Sequence, residues 1–470
     1  MAWLVGTKFR RGSLLSPYSL VLLILLSIYG VRPLLMPGEP RSFMFYGYSI
    51  TSGFEQAALL GFLGIMAFIL GYVAVKLGLT SKNSAPMMTT IVNKTESRLH
   101  DSAPSRAAAA AWTLFAAWFA AMVALGGGIG FLAVLFAGRS EQSLDALAGV
   151  PAFIFALPVI GCLLIAAVRL QHERATPYIK SQNIGYWLVA AASVVPPSAL
   201  GTRRFLIPSL VIVLLGALAN DWQRKIKLKW IVAGLGVFLA LAAIPFVRSA
   251  GSRTSGSTDL LGSMAAYFRE EGVRGALNNF FLSWDTEMFN YVAYLSQRMG
   301  DEISFGLGRG TVGELLAMPI PAAISPFPRW NDMLLKYAFG SECSIETACP
   351  VPSIVGVLYS DLATPGLLLG MVLIGGMSAR FEERLVAATG TRVGVLLLAA
   401  GFSVLVARGN SMAQVWLAVQ CFVVWWLIHR IFLAAPSQES EAKRALRQLP
   451  HAYRQQAAEV TPEPAPHPVR

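Results

Sequence analysis

Apolar residues run in blocks of about 20 through most of the chain, the length a helix needs to cross the hydrocarbon core of a bilayer. Such blocks occupy residues 18–36, 55–77, 109–136, 150–168, 185–200, 205–220, 229–247, 362–379, 393–407 and 411–433. The pattern predicts an all-α polytopic membrane protein of about 10 transmembrane helices. Two connections stand out from otherwise short ones: a polar linker around residues 79–105, and a stretch of more than a hundred residues, 248–361. The long stretch carries too many Trp, Tyr, Phe and Leu residues to stay disordered, and connections of such length are usually functional. Within it, Leu277, Phe281, Trp284, Met288, Val292 and Leu295 recur at steps of three and four, which predicts a helix with one apolar stripe over 274–299. Pro319, Pro321, Pro326 and Pro328 then predict an extended segment. The organisation expected is a transmembrane domain over 1–435 and a polar tail over 436–470, which ends in the Pro-rich TPEPAPHPVR.

Composition agrees: 55% of residues are hydrophobic and 14% charged. The net charge of +12 raises nucleic acid as a partner, but the basic residues gather at the ends of the apolar blocks. Lys8, Arg10 and Arg11 precede the first block, and Arg224, Lys225, Lys227 and Lys229 lie between the sixth and seventh. The positive-inside bias then places both termini in the cytoplasm and the long loop outside, and nucleic acid is excluded in favour of the lipid bilayer. Arg32, Arg41, Arg139, Arg203, Arg204 and Arg408 fall to the short outer connections. The basic first block has no small-residue cleavage site after it and reads as a retained signal anchor. Cys162 and Cys421 lie in apolar blocks, whereas Cys343 and Cys349 lie in the long loop. In an oxidising outer compartment that second pair is a candidate disulfide. All five histidines, His100, His172, His429, His451 and His467, fall on or near the expected cytoplasmic side, so an outer-face histidine base is excluded.

The candidate chemistry follows from charge placed against apolar blocks. Arg203 and Arg204 stand between two short blocks, Arg248 ends the seventh and Arg408 ends the ninth. Arginine at membrane depth costs about 2.5–3.5 kcal/mol on insertion scales. Each is therefore either a snorkelling side chain at a helix end or part of a clamp for an anion, since guanidinium offers a fixed fork to phosphate oxygens. Asp285 and Glu287 in WDTEMFNY, and Asp361 beside Tyr359, are the candidate general bases, against the alternative of a solvated face. The run Gly306-Leu307-Gly308-Arg309-Gly310 lacks the strand–turn–helix setting of a dinucleotide loop, which leaves a turn whose Arg309 meets phosphate or sugar. Trp284, Tyr291 and Trp330 are candidates for stacking on sugar rings or for interface anchoring.

Taken in order, GTRRFLIPSLVIVLLGAL with WQRKIKLKW, PFVRS, WDTEMFNYVAYL, GRGTVGELLAMPIPAAISPFP, PSIVGVLYSDLATPGLLLGM and VARGN resemble the bacterial O-antigen polymerase (Wzy-type) family, over roughly residues 185–412. The resemblance implies a GT-C-like, metal-independent glycosyltransferase without a cofactor at the outer face of the bacterial cytoplasmic membrane. It would polymerise oligosaccharide repeat units carried, as donor and acceptor, on undecaprenyl pyrophosphate. The arginines implied to hold pyrophosphate are Arg203, Arg248 and Arg408, with Arg204, Arg309, Tyr359 and Trp284 as further substrate-binding candidates; a chain-length regulator is a candidate partner. A lipid-linked glycan flippase or an O-antigen ligase remains the alternative, and the second conflicts with the missing outer histidine.

Overall fold

A computed structural model of the chain describes residues 15–78, 102–125, 153–175, 179–199, 203–218, 286–320, 330–339, 351–385, 390–409 and 411–433, with Ala388 and six positions between 269 and 282. The expected seventh span, Arg248, Trp284, Asp285, Cys343, Cys349 and the C-terminal tail lie outside the described residues, as do the side chains of Arg203 and Arg204.

The described chain is a bundle of apolar helices. The first, α1, spans Pro17–Gly38 and is interrupted by a π-turn over Ser27–Val31. Then come α2 (Phe54–Lys76), α3 (Ala103–Leu125), α4 (Leu157–Ala175), α5 (Lys180–Ala199) and α6 (Arg203–Ala217). After them lie α7 (Met288–Arg298), α8 (Trp330–Phe339), α9 (Ile354–Leu385), α10 (Thr391–Arg408) and α11 (Ser411–Ile428). Among the described residues, seven helices are long and apolar enough to cross a membrane: α1, α2, α3, α4, α9, α10 and α11, the last extended to Leu433. Their outward faces carry exposed Leu, Phe and Met, such as Leu59, Phe62, Met66 and Leu70 on α2. A surface of that kind is stable against lipid and not against water.

Two cores share the bundle. One gathers α3, α4, α5, α6, α10 and α11 around α4, whose residues Val159 to Val168 are buried on nearly every side, Gly161 included in the packing against Ala111. The other gathers α1, α2, α7 and α9 as far as Ala379. Here glycine sets the distance. A Cβ on Gly71 would come within 2.0 Å of the Val372 carbonyl oxygen, and one on Gly375 within 2.0 Å of the Phe68 oxygen. Small residues let the backbones of α2 and α9 touch, as packing between membrane helices favours.

The contacts also define two ends of the bundle. At one, Lys76 of α2 pairs with Glu382 and Glu383 of α9 at 3.8 and 3.3 Å, and Gln171 of α4 reaches the Gly390 carbonyl before α10. At the other lie the end of α1, a short hairpin of β1 (Met44–Phe45) and β2 (Tyr48–Ser49), all of α7, and the start of α9. Phe205 near the start of α6 stacks on Phe155 before α4, and Gly409 after α10 lies against Val351, which brings the termini carrying Arg203, Arg204 and Arg408 to this same end.

Two expectations are corrected. The helix predicted over 274–299 to carry a single apolar stripe is described as α7, and Met288 through Ser296 are all buried. It is inserted between α1, α2, α9 and the hairpin, so its polar face is covered as well as its apolar one. The eighth span, expected over 362–379, begins eight residues earlier at Ile354 and breaks at Leu362–Ala363, where Ala363 takes φ 56° and ψ −160° just before Pro365. Proline has no N–H and disfavours helical backbone before it, which places the break there.

Candidate functional site

The charged heart of the α7 end is built from α1 and α7. Arg32 follows directly on the π-turn of α1 and is only 2% exposed. Its guanidinium donates from Nε to Asn290 Oδ1 at 3.1 Å and from Nη1 to Thr286 Oγ1 at 2.7 Å and the Phe281 carbonyl at 3.3 Å. Asn290 in turn donates from Nδ2 to the Ser42 carbonyl at 2.8 Å, which ties the loop before the hairpin to α7. One arginine thus locks α1, the start of α7 and the residues ahead of β1 into one unit.

Glu287 sits at the N-terminus of α7 within the field of Arg32. Its Oε2 is buried and accepts no hydrogen bond among the described residues. Burial pushes its carboxyl up to about 7, and the Arg32 charge only partly opposes the rise. Desolvation penalises the ionised form of an acid, whereas a nearby cation favours it, so here desolvation wins. Tyr46, at φ 47° on the hairpin turn, feels the same charge: burial and then Glu287 push its hydroxyl upwards. A carboxyl that exchanges its proton near neutrality, with one oxygen lacking a hydrogen bond among the described residues, has the properties of a general base.

A second cluster lies at the break in α9. Asp361 is fully buried. Its Oδ1 accepts from the Gly308 and Gly310 amides at 2.8 and 2.9 Å and its Oδ2 from the Thr311 hydroxyl at 2.6 Å. The Gly306 and Leu307 amides bond to the carbonyls of Ser360 and Asp361 at 3.0 and 2.7 Å. The glycine run is therefore a nest for an anion, and the anion is the chain's own carboxylate. The spacing follows from contact: a Cβ on Gly306 would come within 2.4 Å of Asp361 Oδ1, one on Gly310 within 2.5 Å of Trp330 Cδ1, and Gly308 takes φ 94°. Non-glycine residues with left-handed φ among those described are Tyr46, Leu307 and Ala363, and each borders one of these two clusters. Such strain persists only where the surroundings hold it.

Comparison with protein-family models, with curated proteins and with solved structures finds no match for this chain.

The expected site residues separate accordingly. Glu287 stands in the charged heart. Asp361 is a clasp, because every oxygen it has is committed to the 306–311 loop and none reaches an open face. Tyr359 is buried beside it, against Phe305 at 5.9 Å, and its hydroxyl accepts from Gln56 Nε2 at 3.4 Å. Arg309 is exposed on the clasped loop, with its guanidinium 6.0 Å from the Trp330 ring centroid. Arg408 closes α10 and is half-buried. Tyr291 and Trp330 are buried, which withdraws them as sugar-stacking surfaces; Tyr46 and Tyr48 on the hairpin are partly exposed instead. Arg32 escaped the sequence reading, where it counted only towards topology. The signal was present: Arg32 lies inside the apolar block ending at Met36, deeper than Arg203 and Arg204, which stand between two blocks.

Proposed function

We propose that this chain is a metal-independent membrane glycosyltransferase that polymerises oligosaccharide repeat units carried on undecaprenyl pyrophosphate at the outer face of a bacterial cytoplasmic membrane. The observation that carries the reading is Glu287: a buried carboxyl with one unbonded oxygen, poised near pH 7, at the end of a membrane bundle where Arg203, Arg204 and Arg408 also terminate helices. In this reading Glu287 takes the proton of the acceptor hydroxyl as that oxygen attacks the anomeric carbon of the donor. The lipid pyrophosphate leaves with the bonding pair, its charge met by Arg203, Arg248 and Arg408. Fixed cations in a site that excludes water stabilise such charge strongly. Tyr46, within the field of Glu287, and Tyr48 on the same hairpin are partly exposed and offer aromatic surface to a sugar. The broken α9 is the feature that favours a lipid-linked glycan flippase as second reading, since interrupted helices line transport paths.

The test is complementation of a deletion strain with wild type, Glu287→Gln, Arg203→Ala, Arg248→Ala or Arg408→Ala, reading surface-glycan length and lipid-linked intermediates. Single repeat units with no long polymer support the polymerase. Repeat units trapped on the cytoplasmic leaflet support the flippase, and normal polymer from well-inserted variants removes the assignment.

A further inference from the structure

We propose that the Asp361-clasped loop, Gly306 to Leu316, is a bilayer-docking element that seats the headgroup of an anionic phospholipid on Arg309. The loop is rigidly held, yet it displays what a soluble turn would hide. Leu307 is 81% exposed, Val312 64% and Leu316 69%. Leu307 keeps that exposure at φ 53°, a backbone conformation that a β- or γ-branched side chain enters only when neighbouring bonds impose it. Those bonds are the five contacts from Ser360, Asp361 and its carboxylate described above.

Position supplies the occupant. The clasp joins the loop to α9 at its break, where the exposed apolar face of that helix begins, and this face runs from Leu362 through Leu369, Leu373 and Met377. The apolar side chains of the loop therefore extend a lipid-facing surface to its edge, the depth at which phosphates lie. Arg309 stands among them, exposed and without a carboxylate partner among the described residues. Apolar side chains at the acyl boundary with a cation at headgroup level are the two signals of interfacial attachment. This inference concerns lipid contact alone and does not rest on the glycosyltransferase reading.

The test uses the full chain in phosphatidylcholine nanodiscs, with Val312→Cys carrying a fluorophore and the equally treated parent chain subtracted as baseline. Headgroup spin-labelled phosphatidylglycerol and phosphatidylcholine are added as quenchers at low mole fraction. The expected result is quenching by both, with phosphatidylglycerol favoured about fivefold, as one arginine near the surface provides. Arg309→Gln should bring that preference to about one while quenching itself persists. Leu316→Ser, at an exposed position that leaves the fold alone, should reduce quenching by both lipids. No quenching at position 312, or quenching without headgroup preference, overturns the proposal. A preference abolished by equimolar undecaprenyl phosphate also overturns it, because the seat then belongs to a polyprenyl carrier and not to bulk lipid.

Discussion

Arg32 and Glu287 show how one buried charge is set by another. Glu287 titrates near 7 in the folded chain and near 4.5 when unfolded, so the folded state holds the proton more tightly. Its contribution to stability is therefore fullest below about pH 4.5 and declines as pH rises through about 7. Activity should move the other way, since a base must be ionised: initial rates against pH should rise along a limb centred near 7. Glu287→Gln should lower the rate by roughly 10²–10⁴-fold with unchanged membrane insertion. Arg32→Gln removes the cation that favours ionisation, so the limb should shift to higher pH, and Arg32→Lys should restore it in part. A limb that stays in place in Arg32→Gln would separate the two residues. Loss of the Arg32 hydrogen bonds should also lower the unfolding midpoint in detergent, since a bond to a charged group contributes about 1.5–3 kcal/mol.

Among the elements, α9 and the loop it clasps carry the clearest mechanical consequence. Asp361→Ala leaves the Gly308 and Gly310 amides without their acceptor, at about 1–3 kcal/mol for each buried unsatisfied group. Limited proteolysis should then cut near residues 307–312, where the parent chain resists. At the α2–α9 contact, Gly375→Val must push α9 away from the Phe68 carbonyl, and overpacking of this kind costs about 1–3 kcal/mol or more. Thermal scans of the purified variant should show the loss, while Gly185→Ala, where a Cβ meets nothing within 4 Å, should leave the midpoint in place. The glycine run reads in sequence as a turn whose Arg309 meets phosphate or sugar; the turn was legible in its glycines, but the carboxylate its amides hold, 51 to 53 residues further along, was not.

At the scale of the whole molecule, the apolar blocks correspond to helices wherever residues are described. Of single cysteines placed beside Lys76 and beside Tyr48, a membrane-impermeant reagent should label one in intact cells and the other only in inverted vesicles; labelling of both in the same preparation would contradict the arrangement. The membrane-spanning character was determined by sequence alone, because a bilayer demands about 20 apolar residues per crossing and the demand is local. Candidate chemistry was legible only as residue types at apolar edges. The tertiary structure decided which of those edges meet. Glu287 becomes poised because the fold buries it, a rise that Arg32, more than 250 residues earlier, only partly offsets, and Asp361 becomes a clasp because a distant glycine loop wraps it. Desolvation and partner geometry depend on what the rest of the chain places around a group, and no local pattern contains that information.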